Sequence, residues 1–281
     1  MLINNSLHNI GTPSMVINVK KHIPKDVMCF VSQPKRRLAE FMVELKNVPG
    51  ALAETSDLLF KHKVNILTGI HIVMKPEVGH WVFFADFTEA TETPKSIAKK
   101  LEELDKVLKV EYHEAENFIV ESFLYPVISW DWRFVIMNAE RLSASFTIIK
   151  ELLGSGAAAL LFYQGFEYGS NLAEWIKEAM NNKIKPKDLL NVIIKIYRTN
   201  GWGNAEVTKF NLDEKKCVIK VYDCFESLSK PVDTMNTTCD FNRGFWSGAL
   251  TKVFKMKMKA TESKCAGKGD DYCEFIIKPW A

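Results

Sequence analysis

Five of the six cysteines lie between Cys217 and Cys273, and two of them bracket the stretch CAGKGDDYC, Cys265 to Cys273. Thiols gathered in this way bind metal, close a disulfide, or fill a core as small apolar groups. Zinc takes thiolate, imidazole or carboxylate ligands in a tetrahedron. No histidine follows His113, so a site here must draw on Cys217, Cys224, Cys239, Cys265, Cys273 and nearby acids. Cys265 and Cys273 flank the turn of an expected hairpin and can approach each other across its strands. Glu262 stands three residues before Cys265 in TESKC, within reach of the same point if the strand bends. Cys239 opens an expected helix, whose positive end lowers a thiol pKa and favours thiolate. The set Cys239, Glu262, Cys265 and Cys273 would fill four positions. Two cysteines eight apart are not a zinc-finger spacing, however, and buried strand thiols are common. The residues alone leave both readings open. Cys217 and Cys224 read as core or surface thiols on strands, and Cys29, in VMCFV, as a buried thiol.

Other chemistry is thinly represented. GSGAAAL lacks the Lys-Ser or Lys-Thr of a phosphate loop. There is no dinucleotide fingerprint and no supported Ser-His-Asp set, so no residue is assigned a catalytic role. The 281 residues are 47% hydrophobic and 25% charged, as in a globular protein. A net charge of +3 gives no footprint for nucleic acid. The longest apolar run, near AAALLFY, falls far short of the roughly 20 residues of a membrane helix. The polar MLINNSLHNIGTPS has no apolar export region. The expectation is therefore a cytoplasmic chain with reduced thiols, binding neither membrane nor nucleic acid.

Three zones position these residues. Residues 1–37 form a polar leader whose apolar runs MVINV and VMCFV could pair as strands. In residues 38–116, AEFMVELK alternates, with Phe41, Val43 and Leu45 on one face. NVPG breaks the strand and ALAETSDLLFKH has helical composition. VNILTGIHIVM and HWVFFADFT read as strands around a turn at KPEVG. Thr93-Pro94 opens a second helix, and KVEYHE closes as a fourth strand. The order is β-α-β-β-α-β, a ferredoxin-like module. Residues 117–281 read as a helical stretch, then SGAAALLFYQGFEYGSNLAEWIKEAM with Ser155 as its cap, then KPKDLLNVIIKIYRTNGWG. Gly165 and Gly169, four apart, would let another helix approach closely. A hairpin around NLDEKK, a helix at CDFNRGFWSGALTKVF and a terminal hairpin around AGKGDD follow. The fold class is α+β: the ferredoxin-like module, then a mixed helical and antiparallel-sheet domain.

The run ELKNVPGALAETSDLLFKHKVNI resembles the ACT domain family of small-ligand regulatory modules, with Asn47 where the family often has Asp. The resemblance implies a module that pairs with another copy. It also implies an amino acid held near Asn47, Val48, Pro49, Gly50, Ala51 and Leu52. Gly50 would let the backbone approach a ligand, and free helix-start N–H groups could take a carboxylate.

CDFNRGFWSGALTKVF and KATESKCAGKGDDYCEFIIKP resemble the vinyl-4-reductase domain family, related to phenol-sensing domains of bacterial activators. In the phenol-sensing members a Cys ahead of a helix, a Glu-x-x-Cys and a Cys eight residues on hold zinc. By that resemblance Cys239, Glu262, Cys265 and Cys273 are the ligands. Four protein ligands leave no open position, which implies structural zinc. The pocket histidine of the phenol sensors has no counterpart here. What the resemblance implies is an apolar pocket that Phe162, Tyr163, Phe166, Phe245 and Trp246 could line, with Phe162, Phe166 and Trp246 as leading candidates. The combined expectation is a homodimeric, non-catalytic sensor of a small apolar or aromatic molecule. An enzyme of tetrapyrrole or aromatic metabolism and a protein-interaction scaffold are the alternatives.

Overall fold

A computed structural model describes residues 25–27, 29–116, 118–129, 132–229 and 239–280. They form two units that divide between Phe134 and Val135. The first carries β1 (Phe30–Ser32), β2 (Leu38–Lys46), α1 (Ala51–Lys61), β3 (Asn65–Lys75), β4 (Val78–Asp86), α2 (Pro94–Glu102), β5 (Val107–Glu114) and β6 (Ile119–Glu121). The two-residue strands β7 (Ile128–Ser129) and β8 (Trp132–Arg133) complete it.

From β2 to β5 the order is the expected βαββαβ, folded into an antiparallel sheet in the order β3-β4-β2-β5. Alternation in β2 sends Phe41, Val43 and Leu45 into one core with Leu59, Ile97 and Leu101 of the helices. Each such burial is worth about 1.5–3 kcal/mol. Gly50 adopts φ +86° at the start of α1, a left-handed conformation that suits glycine. Thr93 Oγ1 accepts from Ser96 N at 3.2 Å, capping α2 as its sequence predicts.

The other sheet face corrects two expectations. Phe30–Ser32, the described end of the VMCFV strand, pairs antiparallel with Ile119–Glu121, whereas MVINV lies outside the described residues. Val31 and Val120 cover Val82 and Phe84. This ribbon ties the segment after residue 116 to the first unit, so the division falls after Phe134 rather than at 116/117. Cys29, at the ribbon's edge, is exposed and not buried.

The second unit holds α3 (Ala139–Leu153), α4 (Ser155–Ala179), α5 (Pro186–Thr199), β9 (Asn204–Asn211), β10 (Lys216–Tyr222), α6 (Asp240–Phe254), β11 (Met258–Lys264) and β12 (Cys273–Pro279). Its antiparallel sheet runs β11-β12-β10-β9. α6 lies against the sheet and is buried on all sides, with Phe245, Trp246, Ala249 and Leu250 wholly enclosed. α4 packs on α6 backbone to backbone. A Cβ on Gly165 would lie 2.0 Å from Phe241 O, and one on Gly244 would lie 1.9 Å from Phe162 O. Ser155 does not cap α4: Gly154 precedes it, with no side-chain cap. Among the described residues no helix is long and apolar enough to cross a membrane.

Candidate metal centre

Three chain segments meet at the start of α6. Cys239 is the residue before its first turn. Cys265 follows β11, and Cys273 opens β12. The β11–β12 register shifts between Glu262 and Lys264, a bulge that bends the strand at the position where Glu262 needed it. The turn from Ala266 to Lys268 is a 3₁₀ turn closed by Gly269 at φ +101°. Asp270 Oδ2 accepts from Cys265 N at 2.8 Å within it.

The sulfur of Cys239 lies 3.9 Å from that of Cys265 and 3.8 Å from that of Cys273. With a carboxylate oxygen of Glu262, all four atoms fall within 4.8 Å of one another. Thiolates about 2.3 Å from a tetrahedral zinc have edges of about 3.8 Å. The spacing therefore fits a zinc-sized cation without rearrangement. Glu262 provides a second test of fit. Its Oε2 accepts from Cys239 N at 2.9 Å, while its Oε1 is buried and has no hydrogen-bond partner among the described residues. A buried carboxylate oxygen without a donor is costly, and a cation beside it removes that cost. All six cysteines are free thiols, and the three in the set are buried.

The electrostatics agree. Burial first, and then the neighbouring Cys265, push Glu262 up to about 8. Cys239 is driven well above the ordinary thiol value by its thiol neighbours Cys224, Cys265 and Cys273 and by burial. This reverses the direction expected from the helix dipole. Several groups that ionise to anions outweigh half a charge at a helix end. A divalent cation inverts that balance.

Supporting groups surround the set. Ala266 N donates to Cys273 Sγ at 3.4 Å. Glu226, fully buried, accepts from Phe241 N, Asn242 N and Asn242 Nδ2 at 3.0, 2.9 and 2.9 Å. Asn242 Nδ2 also reaches Cys224 Sγ at 3.4 Å, and its Oδ1 accepts from Tyr197 at 2.6 Å. Glu226 and Asn242 stand in no sequence motif, and nothing short of the fold points to them. Cys224 lies on a turn after β10, not on a strand, and hydrogen-bonds with Cys239 and Cys273. Cys217 on β10 is pushed up to about 12 by burial, an inert core thiol.

The expected ligand residues separate. Trp246 is enclosed against Tyr197 and Phe245. Phe166 is half-buried on α4, its backbone meeting Gly248. Phe162 and Tyr163 line a surface groove of about 220 Å³ with Ala158, Ala159, Arg243 and Trp280. In the first unit, Asn47 ties down the β3–β4 turn, its Nδ2 donating to Pro76 O at 2.8 Å. Val48 and Leu52 are exposed beside Gly50.

Residues 217–279 match the vinyl-4-reductase domain. The match runs from β10 to β12 and contains Cys239, Glu262, Cys265 and Cys273. An uncharacterized protein of Methanocaldococcus jannaschii is 30% identical over 125 residues, covering 44% of this chain and 66% of that protein. The phenol-responsive sensory domain of the transcription activator PoxR, solved with phenol, is 19% identical. That comparison covers 53% of this chain and 77% of that one, with a TM-score of 0.47. A vinyl-4-reductase family protein from Methanocaldococcus jannaschii is 19% identical, covering 53% and 85% at a TM-score of 0.36.

Proposed function

We propose that this protein is a non-catalytic, cytoplasmic regulator. In this reading its vinyl-4-reductase-like region binds a small apolar or aromatic molecule and is held together by structural zinc. The observation that carries it is the four-atom set inside the family match, with tetrahedral spacing and one orphaned carboxylate oxygen. Cys239, Glu262, Cys265 and Cys273 would hold the ion. Four protein ligands leave no position for substrate, which supports a structural role.

The ferredoxin-like residues 38–116 would act as an ACT-like module that pairs two chains. The edge strand β3 supports pairing, because it exposes Ile66, Ile70, Val73 and Met74 along an unpaired rim. An amino acid at Asn47–Leu52 would be a second input. In its favour, α1 has no side-chain cap, so its first N–H groups are available. The test is metal analysis together with native mass spectrometry of the purified full chain. The expected result is one zinc per chain and a retained or titratable small molecule. Absence of both, or co-purification of an absorbing redox cofactor, would overturn the reading.

A further inference from the structure

The groove beside the metal centre has a charge pattern that a purely apolar ligand does not require. Its walls are apolar and aromatic: Ala158, Ala159, Phe162 and Tyr163 from α4, and Trp280 after β12. Phe162 meets Trp280 edge to face, with ring centroids 5.9 Å apart. The small side chains of Ala158 and Ala159 leave the space between these rings open. At about 220 Å³ the groove is smaller than the roughly 300–1,000 Å³ of drug-sized sites, so it suits a single ring rather than a long chain.

One end of the groove is cationic. Arg243 and Lys259 line it, and Asp240 is the one carboxylate among the lining residues. Asp240 is already engaged by Arg243 at 2.8 Å and by Lys150 at 3.8 Å. Three cations thus face one carboxylate. Arg243 spends Nη1 on Asp240, while its Nε is buried and has no hydrogen-bond partner among the described residues. Buried donors are normally satisfied, so an unused guanidinium N–H on a groove points to an acceptor from outside the chain. The start of α6 does not supply this end of the groove, since Glu262 and Glu226 take the N–H groups of Cys239, Phe241 and Asn242. The guanidinium also lies 5.7 Å from the centre of the Phe162 ring, and the Lys259 ammonium 5.4 Å from that of Trp280. Charge and ring wall therefore adjoin.

We infer that this groove binds a small aromatic monocarboxylate. Its ring would lie against Phe162, Tyr163 and Trp280, and its carboxylate would be held by Arg243 and Lys259. The inference deepens the ligand-binding reading above and rests on it. Arginine and carboxylate make charge-assisted hydrogen bonds, about twice as strong as neutral ones.

The experiment compares phenylacetate with its neutral near-isostere phenylacetamide by calorimetry on the zinc-containing full chain. The same titrations are run on Arg243→Gln and Lys259→Gln. The expected result is binding of phenylacetate, at least tenfold weaker binding of the amide, and loss of that preference in Arg243→Gln. Zinc content and circular dichroism of each variant report whether it has folded. If Arg243→Gln does not fold, Lys259→Gln and the salt dependence of the wild-type preference carry the same test. Equal binding of the two probes would overturn the carboxylate assignment and leave the apolar-ligand reading standing. Binding of neither would overturn the groove as the site, while native mass spectrometry decides the ligand reading separately.

Discussion

Replacing Cys273 with serine removes the ligand that opens β12, and with it the tie between the terminal hairpin and α6. The size of the effect follows from chain connectivity. Cys239 and Cys273 are 34 positions apart. A cross-link closing a loop of that length lowers the entropy of the unfolded chain by an amount worth about 4 kcal/mol at room temperature. Zinc that bridges both, with Cys265 and Glu262 inside the same loop, contributes at least that much. In a unit of this size 1 kcal/mol moves Tm by about 2–4 °C, so the second unit should melt roughly 8–15 °C lower. The assay is scanning calorimetry of the purified chain beside Cys273→Ser, each with zinc measured by elemental analysis. Wild type treated with a strong chelator forms a third arm, which serves if the variant does not accumulate. The first unit's transition should stay in place, because no metal candidate lies in it among the described residues. A wild-type chain that purifies without zinc would refute the reasoning. So would a chelated chain whose second transition does not move.

Glu262→Gln keeps an acceptor for Cys239 N–H but loses the charge beside the thiols. It should release zinc to a chromogenic chelator at least tenfold faster than wild type. Gly244→Ala would bring a methyl group to 1.9 Å from Phe162 O and force α4 off α6. It should destabilise the second unit by about 3 kcal/mol or more in urea unfolding. Glu40, fully enclosed, accepts from Ser122 Oγ and Phe123 N, yet burial raises it above the ordinary 4.5. A raised carboxyl favours the protonated folded state. First-unit stability is then highest below pH 4.5 and declines as pH rises through the folded value, and Glu40→Gln should flatten that slope. Ile70→Lys on the exposed rim of β3 should turn a dimer into a monomer by light scattering.

The βαββαβ module was legible because its periods change cleanly, from two in β2 and β4 to helical spacing in α2. Its cover was not. β1 and β6 are three residues each and bind through long-range pairing, Val31 with Val120, which no local pattern encodes. The metal set was readable as residue types in order, and the bend at Glu262 was the one geometric condition it required. Glu226 escaped notice because its role comes from a turn brought against α6 by the sheet. The dipole argument at Cys239 failed because it counted one helix end and omitted the thiols that folding gathers around it.

The aromatic pocket was misplaced for a reason that lies in the glycines. Gly165 and Gly169 in α4 announced a face open to another backbone, and α6 carries its own pair four apart, Gly244 and Gly248, in NRGFWSGAL. Neither pair alone names its partner. Together they bring the Phe166 carbonyl to 1.9 Å from where a Cβ on Gly248 would stand, and the Phe245 carbonyl to 2.1 Å from the same point on Gly169. Helices in backbone contact leave no room for a ring between them, so Phe245 and Trp246 turn into the core with Tyr197. The contact begins at Gly165 on α4. Before it, Ala158 and Ala159 leave open the space that becomes the groove, next to the first turn of α6 where Asp240 and Arg243 stand. The glycine contacts thus move the available aromatic surface from the middle of the helix pair to its cationic end. A ligand reaching that end meets the turn of α6 that also begins with Cys239.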